Sequence, residues 1–399
     1  MEDTLNPGAN RSPGTRGPRS DEIERLVERD APVDTDAARL QQGDLIALVG
    51  TTTWVLDDCR VANGALVFAP SQLPSYPVGA PDGMVCRPGE TLALAIAAAD
   101  RLGRNERDSL LAWLTNRAAG FNDDGYLRRA YAVHGRVTDR RPDRMGTAML
   151  LWAICAWPER CTAEPVRGIV RQLAAGLALG RDRRQASPSP TVDLAESALS
   201  AMALHGVSAI LPADEWERAA AREDERRDGL TDTVLAAVRA GPTLGGSAGE
   251  VATRFRDTDV GPRRLFPDDG TEQAALVALS WVAGTGLLLR DAVIERLTSI
   301  LKPAEPDPGV RVHLADLFWL SIALERAGRS LEAADLFSAA MDLADSDGHF
   351  PEWDGSPGAA EPPATPSLAA HLAFLLAAGV LGRLRDLPRS GYTSARGRR

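Results

Sequence analysis

Apolar residues recur at helical spacing through most of the chain. The segments that carry this pattern are rich in Ala and Leu and show little β-branched alternation, which favours α-helices over strands. Each ends near Gly, Pro or Asp, as helix stops do. Examples are "ETLALAIAAADRLG", "RDSLLAWLTNRAAG", "GTAMLLWAICAW", "EPVRGIVRQLAAGLALG", "DLAESALSAMALHGVSAIL", "TEQAALVALSWVAG", "RDAVIERLTSIL", "VHLADLFWLSIALERAG", "SLEAADLFSAAMDLA" and "PSLAAHLAFLLAAGVLG". The pattern predicts roughly a dozen helices.

Short turns and long Pro/Gly-rich loops alternate between these helices. This spacing predicts an all-α protein of repeated helical hairpins, either an open solenoid or a closed toroid. The segment "NGALVFAP" alone predicts a short strand. We expect one domain over residues 40–388, because the apolar pattern fills that range. Residues 1–22 and 389–399 are predicted to be disordered tails, since they hold too little apolar surface to offset the entropy lost on ordering.

The net charge and the cysteine spacing exclude several classes of function. The 399-residue chain has a net charge of −10, with basic residues scattered among more numerous acids, so a general nucleic-acid binder is not expected. Cys59, Cys86, Cys155 and Cys161 form no C-x-x-C pair, and neither a metal site nor a cofactor is predicted. With no signal-like start and no uncharged membrane-length stretch, we expect a cytoplasmic protein without membrane partners. The pattern leaves the oligomeric state open.

Long loops on a helical scaffold are the expected places for binding residues. The loop 347–366 contains "GHFPEW", in which Glu352 lies between Pro351 and Trp353. One hypothesis is that Glu352 faces a cavity and that Trp353 forms an aromatic wall of it. The alternative is a solvated turn in which Trp353 covers the start of the next helix. The five histidines, His134, His205, His313, His349 and His371, show no triad or metal spacing, and most are predicted to be core or surface residues.

Several segments occur in the same order as in a known enzyme family. They are "DDCRVANGALVFAP", "APDGMVCRPGETLALAIAAADRLG", "LLAWL", "DDGYLRRAYAVHGRV", "MGTAMLLWAI", "TVDLAES" and "GHFPEW". Together they resemble the glucoamylase-type glycoside hydrolases, family fifteen in the usual classification of glycoside hydrolases, from about residue 50 to 385. The resemblance implies an (α/α)6 toroid of six helical hairpins.

The resemblance also implies a chemistry. It places the general acid at Glu196 in "TVDLAES" and the general base at Glu352, and it implies inverting hydrolysis of α-linked glucosides such as malto-oligosaccharides or trehalose. Inversion needs two carboxyl groups about 6.5–9.5 Å apart, which must come from separate segments that face one cavity. The implied substrate-binding positions are Glu90, Asp143, Tyr126, Trp353 and His349. The expected partner is therefore a carbohydrate.

Some motif positions differ from the family pattern. The family's Trp-x-Arg-Asp is "CRPGE" here, and Ala195 and Ser197 flank Glu196 where the family has Trp and Glu. Asp193 and Glu196 also have the spacing of a helix capping box, which would explain Glu196 without catalysis. Two alternatives therefore stay open: a catalytically inactive relative that binds a sugar or a protein, and a helical-repeat scaffold with no sugar role.

Overall fold

Twelve α-helices account for most of the chain that the structure describes. The structure, a computed structural model, describes residues 35–61, 64–67, 85–99, 107–117, 125–132, 134–179, 191–211, 213–240, 254–256, 263–265, 290–301, 312–352 and 366–383. Contacts divide the chain into the units Met1–Ile46 and Ala47–Arg399. The first is helical over 35–46, and the second has the fold described below. None of the described helices combines the length and apolarity that crossing a bilayer requires.

Nine of the ten quoted segments lie wholly or partly in the described residues, and all nine form helices there. The bounds of the twelve described helices are α1 Thr35–Cys59, α2 Ala93–Ala98, α3 Arg107–Arg117, α4 Arg144–Cys155, α5 Pro158–Cys161, α6 Val166–Leu179, α7 Leu194–Ile210, α8 Asp214–Ala240, α9 Arg290–Leu301, α10 Leu314–Arg326, α11 Ser330–Met341 and α12 Leu368–Val380. A π-helical turn, Pro88–Leu92, leads directly into α2. The predicted helix "TEQAALVALSWVAG" and both predicted tails lie outside the described residues.

Helix composition decides which helices line the inside of the ring. α12 is buried on almost every side, and ten of the 17 residues of α7 are buried; both helices are rich in Ala and Leu, as expected for helices packed between neighbours. α8 instead carries the charged run "DEWERAAAREDERRDG" and packs on α7 from outside. α2, α4, α7, α10 and α12 are inner helices, paired with outer helices such as α6, α8 and α11. This is the predicted all-α toroid of helical hairpins.

The inner helices α4 and α7 begin at the same end of the ring. Arg144, the first residue of α4, contacts Glu196, the third residue of α7. Gly89 of the π-helical turn lies against Gly146 in the first turn of α4, so closely that a Cβ on either glycine would overlap the other backbone or the Asp143 carboxylate. Glycine is therefore needed at both positions, and the π-helical turn starts at this end as well.

The segment 350–352 links the start of α10 to the start of α12. The Leu314 amide donates to the Glu352 carbonyl at 3.1 Å, and the Ser367 amide donates to the Phe350 carbonyl at 2.8 Å. α12 also packs against α2 and the π-helical turn. The five described inner helices therefore all begin at one end of the ring, which we call the N-terminal end.

Two small antiparallel sheets correct the prediction of a single strand. The first has the order β1 Val85–Cys86, β2 Arg128–Ala132 and β3 Val137–Pro142; the second has β4 Thr191–Asp193, β5 Arg254–Arg256 and β6 Arg263–Leu265. In the described part of "NGALVFAP", residues 64–67, Leu66 forms an isolated bridge with Arg60. These strands are short and rich in charged residues, so an alternating apolar pattern does not reveal them. β4 leads directly into α7, so the second sheet fixes the position of Glu196 in the first turn of α7.

Aromatic side chains fill the core between α10, α11 and α12. Phe374 lies with its ring centroid 5.8 Å from Phe318, 5.8 Å from Phe337 and 5.2 Å from Phe350. His371 is fully buried beside them, at a centroid distance of 4.8 Å from Phe350. This cluster, Phe318, Phe337, Phe350 and Phe374, is the aromatic core.

Candidate active site at the N-terminal end of the ring

An ion pair between Arg144 and Glu196 joins the first turns of α4 and α7. Arg144 Nε contacts Glu196 Oε1, and the Arg144 side chain is 5% exposed against 22% for Glu196. A guanidinium buried this deeply is strongly destabilising unless an anion accompanies it. The pair therefore fixes the position of Glu196 while part of its carboxylate still reaches solvent. Nothing in the sequence pattern around Arg144 predicted this partner.

Tyr126 supports Arg144 from the adjacent segment. The Arg144 guanidinium carbon lies 5.4 Å from the centroid of the buried Tyr126 ring, a cation–π contact. Gly125 precedes it at φ +73, where a Cβ would meet the Gln172 carbonyl oxygen and Gly176. Glycine at that position lets the chain turn close to α6 before the tyrosine. Tyr126, a predicted binding residue, is thus brought to the Arg144–Glu196 pair.

Asp143 lies next to the ion pair and caps α4. Its Oδ1 accepts from the Gly146 amide at 2.8 Å, the usual N-cap arrangement. Its own amide donates to the Leu127 carbonyl at 2.9 Å, and the Leu127 amide donates to Thr147 Oγ1 at 3.1 Å. Capping therefore accounts for an aspartate here. Its predicted contact with substrate stays a prediction.

Glu352 is half-buried, and its carbonyl accepts from the amide of Leu314, the first residue of α10. His313 immediately precedes α10, and burial lowers its pKa to about 4, with a further contribution from the positive charge of Arg87. At neutral pH the imidazole is therefore uncharged and able both to donate and to accept a hydrogen bond. In the sequence, His313 is marked by its position just before an apolar helix. This feature is too general to identify a site residue.

His349 lies in a turn against α1. Its ring stacks on Trp54 at a centroid distance of 5.4 Å, and its Nδ1 lies 3.4 Å from Asp345 Oδ2. Asp345, Asp347 and His349 place ligand atoms within 4.8 Å of one another, so they could approach a cation. Asp345 Oδ1 already accepts from the amides of Asp347 and His349 at 2.9 and 2.8 Å, which explains the cluster as a tight turn.

The remaining predicted positions are less well defined. Glu90 lies in the π-helical turn at the N-terminal end, and its side chain lies outside the described structure. Trp353 follows Glu352 and lies outside the described residues altogether. Glu196, Tyr126 and Asp143 are brought together, while Glu352 reaches the same end of the ring through α10. The Glu196 carboxylate and the uncharged His313 imidazole are groups that can hydrogen-bond a hydroxyl group.

Solved structures similar to this chain include a glycosidase, a D-mannose isomerase and an α-1,6-mannanase. A wild-type glycosidase is 18% identical, with a TM-score of 0.58 over 86% of this chain and 98% of that one. A D-mannose isomerase is 10% identical, with a TM-score of 0.54 over 85% and 97%. The α-1,6-mannanase GH76A from Salegentibacter sp. is 13% identical, with a TM-score of 0.50 over 86% and 99%.

No family model and no curated protein sequence matches the chain. Because these three structural matches are below 25% identity, they show a shared fold and no more. That fold, a helical toroid present in glycosidases and in a sugar isomerase, agrees with the predicted architecture. The narrower relation to glucoamylases stays a prediction.

Proposed function

We propose that this protein is a glycoside hydrolase that cleaves α-linked glucosides at the N-terminal end of its helical ring. The observation that carries the proposal is the common starting end of the inner helices. Glu196 lies in the first turn of α7 at that end, and Glu352 bonds to the first residue of α10. The two carboxyl groups come from segments about 150 residues apart, as chemistry from two sides of one bond requires.

Each carboxyl group has one role in the proposed reaction. Glu196 protonates the glycosidic oxygen as the bond from C1 to that oxygen breaks. Glu352 removes a proton from a water molecule, whose oxygen attacks C1 from the opposite face. The product sugar then has inverted anomeric configuration. His313 is proposed to bind a sugar hydroxyl, because a neutral imidazole can accept or donate that hydrogen bond.

The Arg144–Glu196 ion pair favours a second candidate, sugar binding without hydrolysis. A carboxylate paired with a guanidinium accepts hydrogen bonds, whereas a general acid must donate a proton. A site that kept Glu196 in this state would still hold a sugar through its polar groups. The two candidates differ in turnover and agree on the location of the sugar.

Hydrolysis is tested with a panel of maltose, longer malto-oligosaccharides and trehalose, with glucose release and the anomer of the product followed by NMR. We expect wild type to release β-glucose and both Glu352→Gln and Glu196→Gln to lose about 100-fold or more in kcat. Glu325→Gln, near the far end of α10, is the matched control and should keep wild-type activity. Retention of activity in Glu352→Gln would overturn the assignment of the base.

Binding of the same sugars to wild type, Arg144→Met and His313→Leu is measured by calorimetry. Wild-type binding without turnover, weakened by Arg144→Met or His313→Leu, would select the second candidate. If wild type neither binds nor cleaves any sugar of the panel, both candidates fail for α-glucosides.

A further inference from the structure

We propose that the cavity between α6, α7 and α8 is a second ligand site, specific for a small organic phosphate with an apolar or aromatic part. The cavity has a volume of about 770 Å³, within the range of small-molecule sites. Its lining residues are Arg171, Ala175, Ala178, Ile210, Leu211, Ala213, Glu215, Trp216, Arg218 and Arg222. We call it the arginine cavity.

The arginine cavity is separate from the candidate active site. Glu196 lies in the first turn of α7, whereas Ile210 is its last residue, 14 positions later. At 1.5 Å per residue, the helix carries the chain about 21 Å between them. A ligand in the arginine cavity would therefore contact none of the proposed catalytic groups, and the inference does not depend on the proposed function.

Three arginines from two helices give the arginine cavity its positive charge. Arg218 and Arg222 are four residues apart on α8 and so share one face, while Arg171 comes from α6. Glu215 is the one acidic residue of the lining, which leaves a formal charge of +2. Acidic residues outnumber basic ones in this chain, 55 to 45, so a local excess of arginine runs against the overall composition.

Like charges placed together repel, and this repulsion is relieved by a bound anion. All three arginine side chains are exposed, so an incoming ligand can reach them. Arg218 donates from Nε to the Asp214 carbonyl at 3.0 Å, a contact that uses one of its five N–H donors and orients the guanidinium. Planar guanidinium groups match the oxygens of a phosphate, whose dianion balances the formal charge of +2.

The other half of the arginine cavity is apolar. Ile210 and Leu211 at the end of α7 lie near Trp216, which is 6% exposed, and Ala175 and Ala178 complete this wall from α6. Inorganic phosphate would leave this surface in contact with water. A phosphate ester with a ring or an alkyl group would cover it, and burial of apolar area would add to the affinity.

Phenyl phosphate is a probe that carries both a phosphate group and an aromatic ring. Inorganic phosphate lacks the ring, and phenol lacks the phosphate group. We expect calorimetry at low salt to show phenyl phosphate binding with a Kd of about 1 mM or tighter, and weaker binding of inorganic phosphate and of phenol. The double substitution Arg218→Gln and Arg222→Gln should weaken phenyl phosphate binding by about tenfold or more. Glu215→Gln should strengthen it, because it removes the one negative charge of the lining.

Arg227→Gln is the matched control, since it removes the same charge from α8 at a residue outside the lining. It should leave the affinity within about twofold of wild type. If the double variant does not fold, Arg171→Gln on α6 and Glu215→Gln give the same test. The proposal is overturned if wild type does not bind phenyl phosphate, if the lining variants bind as well as wild type, or if Arg227→Gln loses as much affinity as they do.

Discussion

The aromatic core and the Arg144–Glu196 site both bury a polar side chain, and they do so in opposite ways. In the core, His371 Nδ1 bonds Thr52 Oγ1 at 2.9 Å, and Nε2 accepts from the Phe350 amide at 3.1 Å. Both ring nitrogens are thus paired in the neutral form, with the proton on Nδ1. The histidine ties α1, α12 and the segment before Glu352 into one structure.

At the N-terminal end the buried group is a charge. Arg144 is buried, while its partner Glu196 remains partly exposed at the beginning of α7. The His371 arrangement is closed and neutral and so serves stability, whereas the Arg144 arrangement presents a positioned carboxylate to solvent. Burial alone therefore does not mark a functional group. The exposure of the buried group's partner helps to distinguish a group that serves stability from one that serves a site.

The largest expected effect comes from emptying the aromatic core. Phe374→Ala removes a ring that contacts three other phenylalanines, so we expect a loss of about 3–5 kcal/mol in the free energy of unfolding. Urea denaturation measures it. Leu331→Ala, at a residue 83% exposed on α11, is the control and should change stability by less than about 0.5 kcal/mol. An equal loss in both variants would refute this description of the core.

Breaking the ion pair should have an intermediate effect on stability and a large one on the site. Arg144→Met leaves the Glu196 carboxylate without this cation, and we expect a loss of about 1–3 kcal/mol, less than for a fully buried pair because Glu196 is partly exposed. Adding Glu196→Gln should recover part of that loss. A double-mutant cycle by urea denaturation measures the coupling, and strictly additive effects would contradict the pairing.

The pH dependence of stability distinguishes the buried His371 from solvent-exposed histidines. Burial lowers the His371 pKa from its ordinary 6.5 to about 3, so between these values the unfolded chain binds a proton that the folded protein excludes. Its stabilising contribution is therefore complete above pH 6.5 and is lost as pH falls toward 3, by up to about 1.4 kcal/mol per unit.

Urea denaturation of wild type and His371→Gln across this range measures the effect. The variant should be less stable at neutral pH and should lose stability less steeply on acidification. His313 contributes in the same direction between 6.5 and about 4, so His313→Leu should flatten the upper part of the curve. Parallel curves for wild type and His371→Gln would show that His371 is not the group that titrates.

The smallest expected effect comes from an exposed ion pair that contrasts with Arg144. Arg329 Nη1 lies 2.5 Å from Glu295 Oε1, and Nη2 lies 2.6 Å from Glu332 Oε2, with both glutamates more than half exposed. We expect Arg329→Gln to cost no more than about 1 kcal/mol and to cost less at high salt. A loss as large as that of Arg144→Met would remove the distinction between the two pairs.

The helices could be predicted from the periodicity and the closed ring only from the resemblance to a family, while most of the site could not be predicted. The period of apolar residues is local information, so α7, α10 and α12 were predicted near their observed bounds. The short strands depend on pairing between distant segments, such as Thr191 with Arg256, and their own residues carry no alternating pattern. The same applies to Arg144 and Glu196, which are 52 positions apart.

Local apolar periodicity specified which segments are helical and where loops interrupt them. Packing of distant segments was needed to bring Arg144 to Glu196, to hold His313 neutral beside Arg87 and to line one cavity with three arginines. The reason is physical: helix formation depends on neighbours within a few residues, whereas electrostatic pairing and burial depend on distances in space that are set only when the ring closes.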